Sequence, residues 1–357
     1  MAVSEWGAGS DNAVKLWSRK LLQEALRQTW LYRFMGESDD SLIQILDDTQ
    51  KGPGDRVTVQ LRAQLCDLGI QGDGTLEGNE EALNVYTDNL FIDQLRHAVR
   101  SGGKMSEQRV PFSVREEAQK ALSDWYADAF DRGGFNQLAG ITTADTRRAG
   151  NNTPTAPTTN NVILVNHSTT ASVVSAGASA SNVFNINLID YALEKAKLNN
   201  SCDSTGVPMR PVKIDGSEYF VLFLHPYQVT ALRTNTTAGQ WFDIQQAALQ
   251  GGKIQDNPIF TGALGVYNNV IIHESARVPQ DADGAYRAIM CGAQAAVLGF
   301  GQDNAGRKVS WVEELFDYGN QLGVSAGMIW GLKKTVFNSN DFGVITIYTT
   351  GVANNGL

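Results

Sequence analysis

The sequence predicts an α+β fold on three observations. Residues 55–65 alternate, with Val57, Val59, Leu61, Ala63 and Leu65 on one face and Thr58, Gln60, Arg62 and Gln64 on the other, the period of a half-buried strand. Residues 113–132 carry Val114, Ala118, Ala121, Leu122, Trp125 and Ala129 at helical spacing. From about residue 187 onward, short apolar runs alternate with short helical patterns, the mixture expected of an α+β domain.

The alternating strand opens a hairpin. It runs into a glycine-rich turn from Gly69 to Gly78 that contains Gly72, Asp73 and Gly74, and a second β-prone segment returns over Leu83–Val99 to a glycine hinge at Ser101-Gly102-Gly103. A two-stranded hairpin is marginal alone in water, so this arm needs a partner surface. The central helix follows. Ser113 and Glu116 form an S-x-x-E capping box, and Gly133-Gly134 is the predicted stop. Residues 113–132 thus give a spine of about five turns, on the order of 30 Å.

Upstream, residues 11–35 read as an amphipathic helix. Val14, Trp17, Leu21, Ala25 and Trp30 form its apolar face, widened by Leu22, Leu26 and Phe34. An apolar face does not say whose surface covers it, so its own domain and a neighbouring subunit both remain open. Downstream, residues 142–183 are dominated by Thr, Asn, Ala and Ser with Pro154 and Pro157, the composition of a surface loop, with Val162–Val165 a candidate strand inside it. A helix is expected over 187–198, a strand over 218–224 and a short helix through Val229 and Leu232. A second short helix is expected over 241–250, single strands over 264–273 and 286–299, and a β-rich C-terminal segment from Lys308 to Tyr348.

Composition narrows the function classes. The 357-residue chain is 42% hydrophobic with 35 glycines, and its net charge is −9. The absence of any run of Lys and Arg argues against sequence-independent nucleic-acid binding through phosphate neutralisation. Cys66, Cys202 and Cys291 are scattered and odd in number, which argues for a reducing compartment without a disulfide framework. The opening Met-Ala-Val-Ser-Glu-Trp is no signal segment, and the longest apolar run, Tyr219–Leu224, is far too short to span a membrane.

Each enzymatic motif fails on a named residue. Gly323-Val324-Ser325-Ala326-Gly327 matches the G-x-S-x-G nucleophile elbow, but that pattern needs a later histidine and the last one is His273. A glycine-lined bend between strands is the better account. His273-Glu274 meets Arg277 where a zinc motif needs histidine. The Asp281–Gly284 stretch lacks the ligands of a calcium loop. His97, His167, His225 and His273 share no spacing. No cofactor or metal site is expected.

The last third carries an ordered set of signatures: Phe260, Gly262, Leu264, Gly265, Tyr267 and Val270–His273, then Gly292–Ala296, Asp317-Tyr318-Gly319-Asn320, and Gly331, Lys333, Lys334, Phe337, Asn338 and Asp341–Ile345. This series resembles the major capsid proteins of tailed bacteriophages with podovirus-type relatives. The resemblance implies the HK97-type capsid fold, with an N-arm at 1–50, an extended E-loop hairpin at 51–103, a P-domain at 104–200 and a C-terminal return to its sheet at 301–357. It also implies an axial A-domain at 201–300. Inter-subunit contacts are expected from Val57, Val59, Leu61, Gly72, Asp73 and Gly74 of the E-loop and from Trp17, Leu21 and Trp30 of the N-arm. The implied partners are further copies of the chain in hexamers and pentamers, a separate scaffolding protein, a portal and possible cement proteins, around DNA enclosed without specific binding and without a membrane. The competing readings are a shell protein of a cellular nanocompartment and a hydrolase built on Ser325.

Overall fold

The computed structural model describes residues 21, 24–46, 56–111, 113–165, 183–199, 208–214, 216–234, 264–281, 285–302 and 308–350. Trp17, Cys202, the helix expected at 241–250 and the loop residues 166–182 lie outside them.

Two sheets share one helix. The first is six-stranded and is built from β1 (Met35–Gly36), β2 (Ile43–Leu46), β5 (Asp93–Arg100), β12 (Ala296–Phe300), β13 (Val309–Phe316) and β14 (Gln321–Lys334). The long β14 organises it: β13 and β5 flank its first part, and β12 pairs with its end. The second sheet runs β6 (Val162–Leu164), β17 (Val344–Thr349), β11 (Tyr286–Cys291), β8 (Ser217–Leu224), β10 (Val270–Glu274) and β9 (Gly265–Tyr267), with β7 (Val212–Ile214) added on β8. Two ribbons stand apart from both sheets: β3 (Arg56–Arg62) with β4 (Val85–Phe91), and β15 (Val336–Phe337) with β16 (Asn340–Asp341).

The helices whose full extent lies among the described residues are α1 (Lys104–Gln108), α2 (Val114–Ala139), α3 (Ile186–Leu198) and α4 (Pro226–Thr234). Strand alternation divides the second sheet between two cores. Val221, Phe223, Ile271, Ile289 and Cys291 join α2 and the inner face of the first sheet. Phe220, Leu222, Leu224, Ile272, Met290 and Ile347 face the other way, under Leu188, Ile189 and Leu193 of α3 and Val229 and Leu232 of α4. The spine helix therefore lies against both sheets, and α3 and α4 cover the far side of the second.

Several expected boundaries move. The spine does not stop at Gly133-Gly134 but runs 26 residues to Ala139, about 39 Å at 1.5 Å per residue. Gly140, at φ 66°, is the stop. The two internal glycines serve close packing instead. A Cβ on Gly133 would fall 2.3 Å from the Arg148 carbonyl oxygen, and one on Gly134 would fall 2.4 Å from Leu31 Cδ1. Ser113 occupies the N-cap position without a side-chain capping bond. The buried face also turns from the expected stripe: Ala121 is exposed, whereas Tyr126, Phe130 and Asp131 are fully buried.

Three segments expected as single strands are each two. Residues 264–273 fold as the hairpin of β9 and β10 around Asn268 and Asn269 at φ 44° and 63°, a left-handed pair that suits a two-residue turn. Residues 286–299 leave one sheet as β11 and enter the other as β12. The return strand of the arm breaks at Ile92 into β4 and β5. The expected glycine hinge lies at the far end of β5, where Ser101 and Gly103 are buried. The loop expected from residue 142 is packed over its first part, with Ala149, Asn152, Asn161 and Ile163 buried.

Candidate assembly arm

Apart from Leu90, which is buried at 2% exposure near its root, the β3–β4 ribbon is half-buried or exposed. Val57, Val59 and Leu61 occupy alternate, partly covered positions opposite Leu90, Asp88 and Tyr86, while Arg56, Thr58, Gln60 and Arg62 are exposed. Thr58 donates to Asn89 Oδ1 across the outer face at 3.0 Å. The last backbone rung is Ala63 N–H to the Asn84 carbonyl, at 2.9 Å.

Beyond that rung the chain forms an ordered tip without strands. Glu81 reaches across it, accepting the N–H groups of Cys66 and Asp67 at 2.8 and 2.9 Å. Gly69, Gly72 and Gly78 take left-handed conformations at φ 71°, 69° and 88°, which glycine adopts without a Cβ penalty. Gly72, Asp73 and Gly74 are all exposed there. Leu68 is fully exposed, and Leu65, Leu76 and Leu83 are each 57–61% exposed. Large apolar side chains gathered on one projecting tip mark a surface for another molecule. The alternation in the sequence signalled the ribbon and placed Leu65 on its apolar face, although β3 ends at Arg62; Leu68, Leu76 and Leu83 carried no periodic signal. Cys66 is disulfide-bonded, against the expectation of unpaired thiols. Cys291 is free and buried, and burial holds its thiol well above the ordinary range.

The N-terminal segment behaves differently. Leu21, Ala25, Leu31 and Phe34 are buried in the chain's own main core. The Trp30 ring lies 5.4–5.7 Å from those of Phe34, Phe135 and Phe223, under the Arg33 guanidinium. Asp131 of the spine accepts the backbone N–H groups of Trp30 and Leu31, both at 3.0 Å, and pairs with Arg277 at 3.2 Å. Burial raises the Asp131 pKa, and those same N–H groups oppose the rise. Leu21 is fully buried within this chain's own core. Trp30 likewise spends its ring on its own core.

The motif residues have packing roles. Ser325 sits within β14, not at a bend, and its hydroxyl donates to the Val312 carbonyl at 3.3 Å. His97 pairs in register with Ala326 and stacks on Trp125 of the spine, so it faces the other side of the sheet from Ser325. Gly323 makes room for the Phe316 ring, on which Arg100 stacks at 4.3 Å. Among the described residues, no cluster of His, Cys, Asp and Glu could hold a metal ion, and no helix is long and apolar enough to cross a membrane.

The two-sheet body carries a hairpin ribbon that ends in exposed leucines, an arrangement that suits a subunit of an assembly. A family model described as phage capsid protein matches residues 5–353, and the chain belongs to that family. It is 29% identical over 375 residues to the major capsid protein of Pseudomonas phage KPP25, covering 93% of this chain and 94% of that one. The capsid of Ralstonia phage GP4 superposes with a TM-score of 0.79 at 29% identity, covering 100% of this chain and 97% of that one. The cyanophage Pam1 capsid shares the fold, with a TM-score of 0.72 at 19% identity over 99% and 97% of the two chains. The protein is a major capsid protein, and it forms the shell of a phage virion.

Proposed function

We propose that the chain builds an HK97-type icosahedral head in which the β3–β4 hairpin is an E-loop lying on a neighbouring subunit. The observation that carries this reading is the tip, where Leu65, Leu68, Leu76 and Leu83 face solvent beside partly covered Val57, Val59 and Leu61. Gly72, Asp73 and Gly74 form the most distal part of that contact. Residues 1–50 serve as the N-arm, with Trp17, Leu21 and Trp30 the residues put forward for its contacts. Residues 104–200 form the P-domain around the spine, residues 201–300 the A-domain, and residues 301–357 the C-terminal return. Two strands cross those bounds: β12 already belongs to the six-stranded sheet, and β17 lies beside β11 in the other.

In this reading hexamers and pentamers of the chain enclose double-stranded DNA, with a separate scaffolding protein, a portal and possible cement proteins. A net charge of −9 suits a wall that must not adhere to its cargo. The role is structural, with no catalysis. A free subunit should bind DNA no more tightly than about 10⁻⁴ M. Cryo-electron microscopy of the chain co-expressed with its scaffold tests the proposal. The expected result is icosahedral particles whose hairpins cross subunit boundaries; hairpins folded back on their own subunits would refute it.

A further inference from the structure

The arm passes into the body at Phe91 and Ile92. Only Ile92 separates β4, which belongs to the free ribbon, from β5, which belongs to the six-stranded sheet. At that point Phe91 is held on both its backbone groups by one side chain: its N–H donates to Asn152 Oδ1 at 2.9 Å, and its carbonyl accepts from Asn152 Nδ2 at 2.7 Å. This is the donor and acceptor pair that a neighbouring strand would offer.

Asn152 is itself fixed. It is 2% exposed, its Nδ2 also donates to the Ala149 carbonyl at 2.7 Å, and its own carbonyl accepts from Gln137 Nε2 of the spine at 2.6 Å. The fit leaves no slack. A Cβ on Gly331 would fall 1.9 Å from the Phe91 carbonyl oxygen, and one on Gly150 would fall 3.2 Å from it. A second hold lies one turn of the pleat outward, where Lys333 of β14 pairs with Asp88 and donates to the Asn89 carbonyl at 3.0 Å, and Val336 N–H donates to Asp88 Oδ2 at 3.2 Å.

We propose that Asn152 is the positioning residue that sets the direction of the hairpin arm, clamping its root to the spine helix, with the Asp88–Lys333 pair as the second point of the clamp. The proposal rests on reading the hairpin as the assembly arm. Its physical basis is leverage. The seven-residue ribbon spans about 23 Å, so a tilt of roughly 10° at Phe91 moves its far end by about 4 Å. That distance equals the reach of an apolar contact, about 4.0–4.5 Å.

The test is Asn152→Ala in the full chain, read in two ways. Hydrogen exchange at the Phe91 amide should quicken at least tenfold while the amides of α2 keep their rates, and co-expression with scaffold should give malformed or heterogeneous shells. Normal, uniform shells would overturn the proposal. So would accelerated exchange spread equally through α2, because the residue would then be a general packing element. Should Asn152→Ala fail to fold, Lys333→Met decides by the same readouts, since that side chain is 21% exposed. Deleting residues 70–79 separates the two layers. If the deletion abolishes shells and both clamp variants assemble normally, only the clamp falls. If the deletion mutant itself assembles normally, the arm reading falls and takes the clamp with it.

Discussion

The seven-stranded sheet and the hairpin arm are built from similar residues and meet opposite fates. β17, Val344–Thr349, is buried at every position, as is most of β8. β3, with the same taste for Val and Leu, alternates between exposed and half-covered. The sheet has α2 on one side and α3 with α4 on the other; beyond the contacts at its root, the β3–β4 ribbon has only its partner strand along most of its length. Burial in the sheet stabilises the subunit. In the proposed reading, the uncovered apolar surface of the arm is stabilising only when a second copy removes it from water.

Changes in the body should therefore be felt by the free subunit, and changes in the arm only by the shell. The largest effect is expected at Phe223, fully buried among Trp30, Phe34 and Phe135. Phe223→Ala should lower unfolding free energy by about 3–5 kcal/mol, measured by denaturant titration of the monomer. A loss under about 1 kcal/mol would mean that this core is loosely packed.

Close in size is the buried pair of Lys334 and Asp341, 2.7 Å apart and at most 1% exposed. Asp341 also accepts the Thr158 N–H at 3.1 Å, and its carbonyl accepts from Asn161 at 2.8 Å. Burial pushes the Lys334 ammonium below its ordinary pKa, and the Asp341 carboxylate opposes that fall. Asp341→Ala should cost about 3–5 kcal/mol, and Lys334→Met with Asp341→Leu should recover most of it. A double variant as unstable as the single one would sink that account.

A smaller effect is expected at Asp131, whose folded pKa is raised by burial. The folded state then holds that proton more tightly than the unfolded chain. Its contribution to stability is present below the ordinary aspartate value of about 4 and is lost as pH rises through the raised value. Asp131→Asn should flatten the stability curve in that window. Identical pH slopes in both proteins would show that Asp131 titrates normally.

The smallest effect on the subunit belongs to the arm. Leu68→Ser should change monomer stability by less than about 0.5 kcal/mol, because Leu68 is fully exposed, and yet it should reduce shell yield.

Much of this contrast was legible in the sequence. Period-two alternation located β3, and the helical stripe located the spine, since both are local patterns. What was not legible depended on distant packing. Gly133 and Gly134 read as a stop by propensity, but Arg148 and Leu31 press against them, and tertiary contact outweighs the roughly 1 kcal/mol glycine penalty at each. A mostly apolar run over 286–299 hides the crossing between sheets, because both strands are almost wholly buried and periodicity cannot separate them. The Asn152 clamp lies in a polar stretch whose composition suggests a loop; only the fold brings it to Phe91.

The central claim is that the arm belongs to the shell and not to the subunit. Deleting residues 70–79 and measuring both the melting temperature of the free subunit and the particles formed with scaffold tests it most directly. The account predicts an unchanged melting temperature with absent or malformed shells. A subunit that unfolds on deletion, or normal particles built from the deletion mutant, would contradict it.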